Sequence, residues 1–153
     1  MLTQPKGYVL PNSPTCIVAC SSAIARCWFS ESRKSDWEIL AEFGHEEAAR
    51  REQDFQSDRP GRSFDSSGQG RHAMSLQHSA KEQSNIRFAE TVAEFLNQSV
   101  AADKFRHLVI FADPKFLGLL RGRLSDATVS AVALEAPKNL VNLDSRELRA
   151  YFD

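Results

Sequence analysis

The sequence predicts one α/β domain: a mixed, mostly parallel sheet with helices on both faces and a long Gly/Arg-rich loop before the main helix. Three observations predict it. The run "HLVIFA" (107–112) is continuously apolar, as in a parallel strand covered on both faces. A helical pattern stands on either side of it, which demands parallel pairing in the second half of the chain. The first third instead carries three short apolar or alternating runs separated by polar residues, the pattern of a meander. At 153 residues the chain has the size of one ordinary domain, and it shows no internal repeat.

Residues 1–14 are broken by Pro5, Pro11 and Pro14 and read as a flexible leader, leaving 15–153 as the domain. "TCIVAC" (15–20) is β-branched and apolar, a central strand, and "AIARCWF" (23–29) is its partner. After the polar turn "ESRKSD" (31–36), "WEILAEF" (37–43) sets Trp37, Ile39, Ala41 and Phe43 inward against Glu38 and Glu42 outward. "HEEAARREQDF" (45–55) is rich in helix formers and predicts a short exposed helix. From Ser57 to about Ser79 neither periodicity is present, which predicts a loop.

The main helix is predicted over about 80–100, where Ile86, Ala89, Ala93, Leu96 and Val100 recur at helical spacing and Phe88, Val92 and Phe95 widen the face. Beyond the strand at 107–112, Pro114 occupies a first-turn position and predicts a helix over 114–124. There Phe116, Leu117, Leu120 and Leu124 form the core stripe and Arg121 and Arg123 face water. "TVSAVALE" (128–135) reads as a strand. Asp144 followed by Glu147 starts a last helix, "SRELRAYF" (145–152).

Composition excludes several classes. Net charge is −1, with 19 basic and 20 acidic residues, so no global field draws the chain to nucleic acid or to anionic membrane. The cysteines Cys16, Cys20 and Cys27 are odd in number and confined to one segment, which is not a disulfide framework; buried, reduced thiols are expected. No second ligand pair with metal-binding spacing accompanies them, and His45 and His72 stand alone, so no metal or cofactor is expected. "IVAC" (17–20) has the look of a lipoprotein cleavage box, but the preceding "GYVLPNSPT" lacks the required apolar run. No stretch approaches the roughly 18 apolar residues of a membrane helix, so a cytoplasmic protein without membrane insertion is expected.

The most unusual stretch is "SDRPGRSFDSSGQGRHAM" (57–74). It sets three arginines against two aspartates and has almost nothing to bury. Arginine forks and exposed backbone N–H groups beside glycine can grip a phosphate locally. Arg59, Arg62, Gly68, Gln69, Gly70, Arg71 and His72 are therefore the candidate RNA- or phosphate-binding residues. The competing reading pairs Arg59 and Arg62 with Asp58 or Asp65 to hold the loop to the body, and leaves Gln69 as a solvated turn residue. Hydrolase motifs are missing: there is no GxSxG elbow and no P-loop. Asp65, Ser66 and His72 could be drawn as a triad, but nothing in the sequence fixes their geometry, and no catalytic residue is assigned.

Three blocks, "SDRPGRSFDSSGQGRHAM", "RFAETVAEFL" (87–96) and "ADPKFLGLLRGRL" (112–124), occur in an order and at distances that resemble the bacterial host attachment proteins, named for attachment to host cells. The resemblance spans about 15–153. It departs at Cys20, where the family has an aspartate, with one extra residue following, and at "KNLV" (138–141), where the family has a "KDLT"-like segment. The family in turn resembles the middle domain of eukaryotic release factors and Pelota: a sheet, a glycine-rich basic loop, a long helix containing "RFA", then a strand. That resemblance sets "SGQ" (67–69) against the Gly-Gly-Gln of release factors, with Ser67 in the place of the first glycine. It implies that Gln69 orients a water inside a larger partner's active centre, since a neutral amide is no strong base. The expectation is a non-enzymatic RNA- or ribosome-associated binding protein, with ribosome or tRNA as partner. The alternative is a protein–protein adaptor acting indirectly in attachment.

Overall fold

The computed structural model describes residues 8–45 and 68–152, with the side chains of 68–79 excepted. The predicted helix at 45–55 lies almost wholly outside the described residues. Within them the order is β1 (Thr15–Cys20), β2 (Ile24–Ser30), β3 (Glu38–Gly44), α1 (Gly68–Ala101), β4 (His107–Ala112), α2 (Pro114–Arg121), α3 (Asp126–Ala131), β5 (Val132–Ala136) and α4 (Ser145–Arg149). The five strands form one mixed sheet in the order β3-β2-β1-β4-β5. β1 and β2, and β2 and β3, pair antiparallel as a meander; β4 pairs parallel with both β1 and β5.

Strand alternation divides the core into two layers. On one face Cys16, Val18, Leu108 and Ile110 meet Phe88, Ala89, Val92 and Leu96 of α1 and Phe116 and Leu120 of α2. On the other, Ile17, Ala19, Val109 and Phe111 meet Tyr8, Leu10, Val141, Leu148 and Phe152. Helices thus cover both faces. β1, buried at every position, is the central strand.

Of the segment read as a leader, residues 8–14 are described; they carry the buried Tyr8 and Leu10 beside the exposed Val9 and Asn12. Leu10 is 1% exposed, and Tyr8 bridges to Phe152 in the second layer. Arg33 Nε donates to Leu10 O, and Arg149 donates to Ser35 O and Arg33 O with its guanidinium over the Trp37 ring. Residues 1–7 are outside the described residues.

Three further expectations are corrected. Ile39 is 63% exposed instead of inward. A bulge inserts Leu40 between the pairs Cys27–Ala41 and Trp28–Ile39, which reverses the alternation below it and turns Ile39 away from the face that Phe43 joins. The segment 128–135 is not one strand. Ser125 caps α3 by accepting from Thr128 N, Asp126 sits in its first turn, and only Val132–Ala136 is extended. Thr128 and Val129 suggested a strand, but the cap decides the local structure. The last helix stops at Arg149, closed by the expected Asp144–Glu147 capping box at its start, and its tail turns into the Tyr8 bridge.

The cysteines are free and buried, all on the layer beneath α1. Burial, with Cys27 as neighbour, raises the Cys16 thiol well above its ordinary pKa, and burial with Cys27 and Asp113 raises Cys20. Both thiols keep their protons in the folded state at pH values where unfolded thiols lose them. The unfolded state then binds fewer protons, so stability falls as pH rises beyond the ordinary thiol range of about 8.5, by up to about 1.4 kcal/mol per pH unit for each thiol. Denaturation midpoints at pH 7 to 10 measure this. A thiol reagent should find no fast-reacting cysteine in native protein and three after unfolding; rapid native labelling would contradict the packing of this layer.

Candidate functional site

The structure divides the candidate residues. Arg59 and Arg62 lie outside the described residues. Gly68, Gln69, Gly70, Arg71 and His72 do not sit in a loop; they form the first turns of α1, a helix of 34 residues. The loop expected over 57–79 is therefore corrected from Gly68 onward. Ala73, Met74, Leu76, Gln77, Lys81 and Glu82 are good helix formers, and extending a helix already anchored at its other end costs little. A missing apolar stripe in the sequence is therefore not the absence of a helix.

The point where α1 leaves the sheet is visible in its burial. Ser84, Phe88, Ala89, Val92 and Ala93 are buried, whereas Ala80, Lys81, Glu82 and Gln83 are all exposed. Four consecutive residues span a whole turn, so the helix there is bathed on every side. At its far end α1 closes with a Schellman turn: Asp103 takes φ 61°, and Lys104 N and Asp103 N donate to Ser99 O and Val100 O.

His45, which stands alone in the sequence, is at the root of this emerging helix. Its backbone N–H donates to Ala23 O at 2.9 Å. Its Nδ1 lies against Ser22 O, and its Nε2 is 2.6 Å from Ser84 Oγ. A carbonyl only accepts, so Nδ1 carries a proton; in the neutral ring Nε2 accepts from the Ser84 hydroxyl. The ring also stacks on Phe88, with centroids 4.8 Å apart and planes 11° from parallel, and Phe88 in turn meets Phe116 at 5.7 Å. A Ser–His pair of this tautomer resembles part of a hydrolase site, but Ser84 is 2% exposed and sits mid-helix, where neighbouring N–H groups are engaged in the helix. No sequence signal marks this group, because its members lie 23 and 39 residues apart.

Beside it are the carboxyl ends of the parallel strands β1 and β4, where α/β sheets commonly place ligands. Cys20 pairs with Ala112, so Ser21 and Asp113 follow at the edge. Asp113 caps α2 by accepting from Phe116 N at 3.0 Å. The buried Cys20 thiol is the neighbour of Asp113 at this edge. Among the described residues no three His, Cys, Asp or Glu side chains group to hold a metal ion. No described helix is long and apolar enough to cross a membrane.

The fold and this edge define a single mixed α/β domain with a long helix leaving the carboxyl end of its sheet. A family model described as "Protein required for attachment to host cells" matches residues 16–152. The chain belongs to that host attachment family. A search of curated proteins finds no match.

Proposed function

We propose that this host attachment family protein is a non-enzymatic, cytoplasmic binding protein that engages RNA, in the ribosome or as tRNA, through residues 57–74. One observation carries the reading: Gly68–His72 open the first turns of a helix whose residues Ala80–Gln83 are all exposed. The leading N–H groups of a helix lack intrahelical acceptors and, with the helix dipole, favour an anion. Gly68 and Gly70 allow close backbone approach, and Arg71 adds a fork suited to phosphate. The element order, strands then a long helix containing "RFA" then a strand, agrees with the release-factor-like reading. The family description names a phenotype; an RNA-binding protein would influence attachment indirectly.

The test is a triple replacement, Arg59→Gln, Arg62→Gln and Arg71→Gln, assayed by co-sedimentation with ribosomes and by tRNA binding across a salt series. Glutamine preserves length and hydrogen bonding and removes charge. Loss of three phosphate contacts should abolish association at moderate salt and flatten the slope of log affinity against log salt by roughly 2–3. Gln69→Ala should leave affinity nearly unchanged. Wild-type protein that binds neither ribosomes nor tRNA at low salt would end this reading and leave the protein–protein adaptor in its place.

A further inference from the structure

We propose that His45 is a strut that fixes the direction in which α1 leaves the sheet, and thereby the position of Gly68–His72. On the body side the main chain of His45 is held by its backbone N–H to Ala23 O and the ring by Nδ1 to Ser22 O, both in the turn between β1 and β2. On the helix side it meets Ser84 through Nε2 and Phe88 through ring stacking. Ser84 and Phe88 are four residues apart, so His45 grips one face of the helix on two successive turns. Both grips lie next to the turn at Ala80–Gln83, which is exposed on every side.

The geometry gives this contact leverage. Helix α1 is packed along its later half by Ala89, Val92, Ala93 and Leu96, and its earlier part, 68–83, extends about 24 Å at 1.5 Å per residue. A change of about 10° at the root displaces the far end by about 4 Å, more than the length of a hydrogen bond. Packing of the later half resists translation of the helix; the polar and stacking contacts of His45 at the exit resist its tilt. His45 is 8% and Ser84 2% exposed, so the bond between them is shielded from water. The functional part of the inference rests on the RNA reading above, because the strut matters to function only if the far end of α1 makes the contact.

Spin labels at Gln69→Cys and Lys115→Cys would report the distance from the far end of α1 to the sheet-bound helix α2 by double electron–electron resonance; the three native cysteines are buried and escape labelling under native conditions. The parent should give one narrow distribution. His45→Phe keeps an aromatic ring over Phe88 but removes both side-chain hydrogen bonds, and should broaden or shift the distribution by several ångströms. Ser84→Ala removes the Nε2 partner and keeps the Ser22 bond and the ring stacking, should do so to a lesser degree, and decides the matter if His45→Phe does not fold. A broad parent distribution, or variants that fold and give the parent's distribution, would overturn the strut. Ribosome co-sedimentation of the same variants separates the two readings. Absence of binding by wild type counts against the RNA reading while the distances still decide the strut; binding weakened in step with broadening supports both.

Discussion

An Ala89→Asp variant is expected to lose most of the stability of the domain. Ala89 is 0% exposed and lies in the layer between α1 and the sheet, among Val92, Ala93 and the inner residues of β1 and β4. No described cation reaches this layer. A carboxylate there must either remain ionised without a partner or take up a proton, and it must also push apart a close-packed surface. The cost is several kcal/mol against a total stability on the order of 5–15 kcal/mol for a domain. Glu90, the next residue, is exposed and reaches Arg123 at 3.5 Å, so Glu90→Ala should change stability by less than about 1 kcal/mol. Urea unfolding of the two variants makes the comparison. Equal midpoints for Ala89→Asp and wild type would mean that α1 presents a different face to the sheet.

The second large effect belongs to the opposite layer. Phe111→Ala should destabilise by about 3–5 kcal/mol, or roughly 6–20 °C in melting temperature for a chain of this size. Phe111 is 0% exposed, and its ring meets Tyr8, Phe152 and Tyr151 at centroid distances of 5.8, 6.0 and 6.2 Å. Removing it leaves a cavity beneath the N-terminal segment, and the aromatic contacts that hold the C-terminal turn to the sheet are lost together. Near-ultraviolet circular dichroism of the folded variant should weaken, as the ordered environment of Tyr8, Tyr151 and Trp37 loosens. A variant with unchanged melting temperature would show that this aromatic layer contributes nothing to the fold.

How far these features were legible in the sequence depends on how local their causes are. β1 and β4 are uninterrupted apolar runs, and the capping box at Asp144 and Glu147 spans four residues, so each could be read directly. Pro114 likewise marked the start of α2. The bulge at Leu40 could not be read, since it exists only in the pairing of β3 with β2. Helix α3 was legible in principle through Ser125, but its β-branched residues pointed to a strand. The first part of α1 was hidden for another reason: the stripe used to recognise helices reports a packed face, and Ala80–Gln83 have none. At the candidate site, Gly68–His72 were found by composition, whereas their helical setting and the contact of His45 with Ser84 depend on chain segments far apart in sequence.

The bridge between Tyr8 and Phe152 has a consequence for synthesis. Phe111 is made about 40 residues before Phe152, an interval of roughly 2–8 s at 5–20 residues per second. The ribosome encloses the newest stretch of a nascent chain, so β4 emerges only as the C-terminal turn is being made. The face that carries Trp28, Val109 and Phe111 is therefore completed at nearly the moment its cover arrives, and the nascent sheet leaves that side bare only briefly.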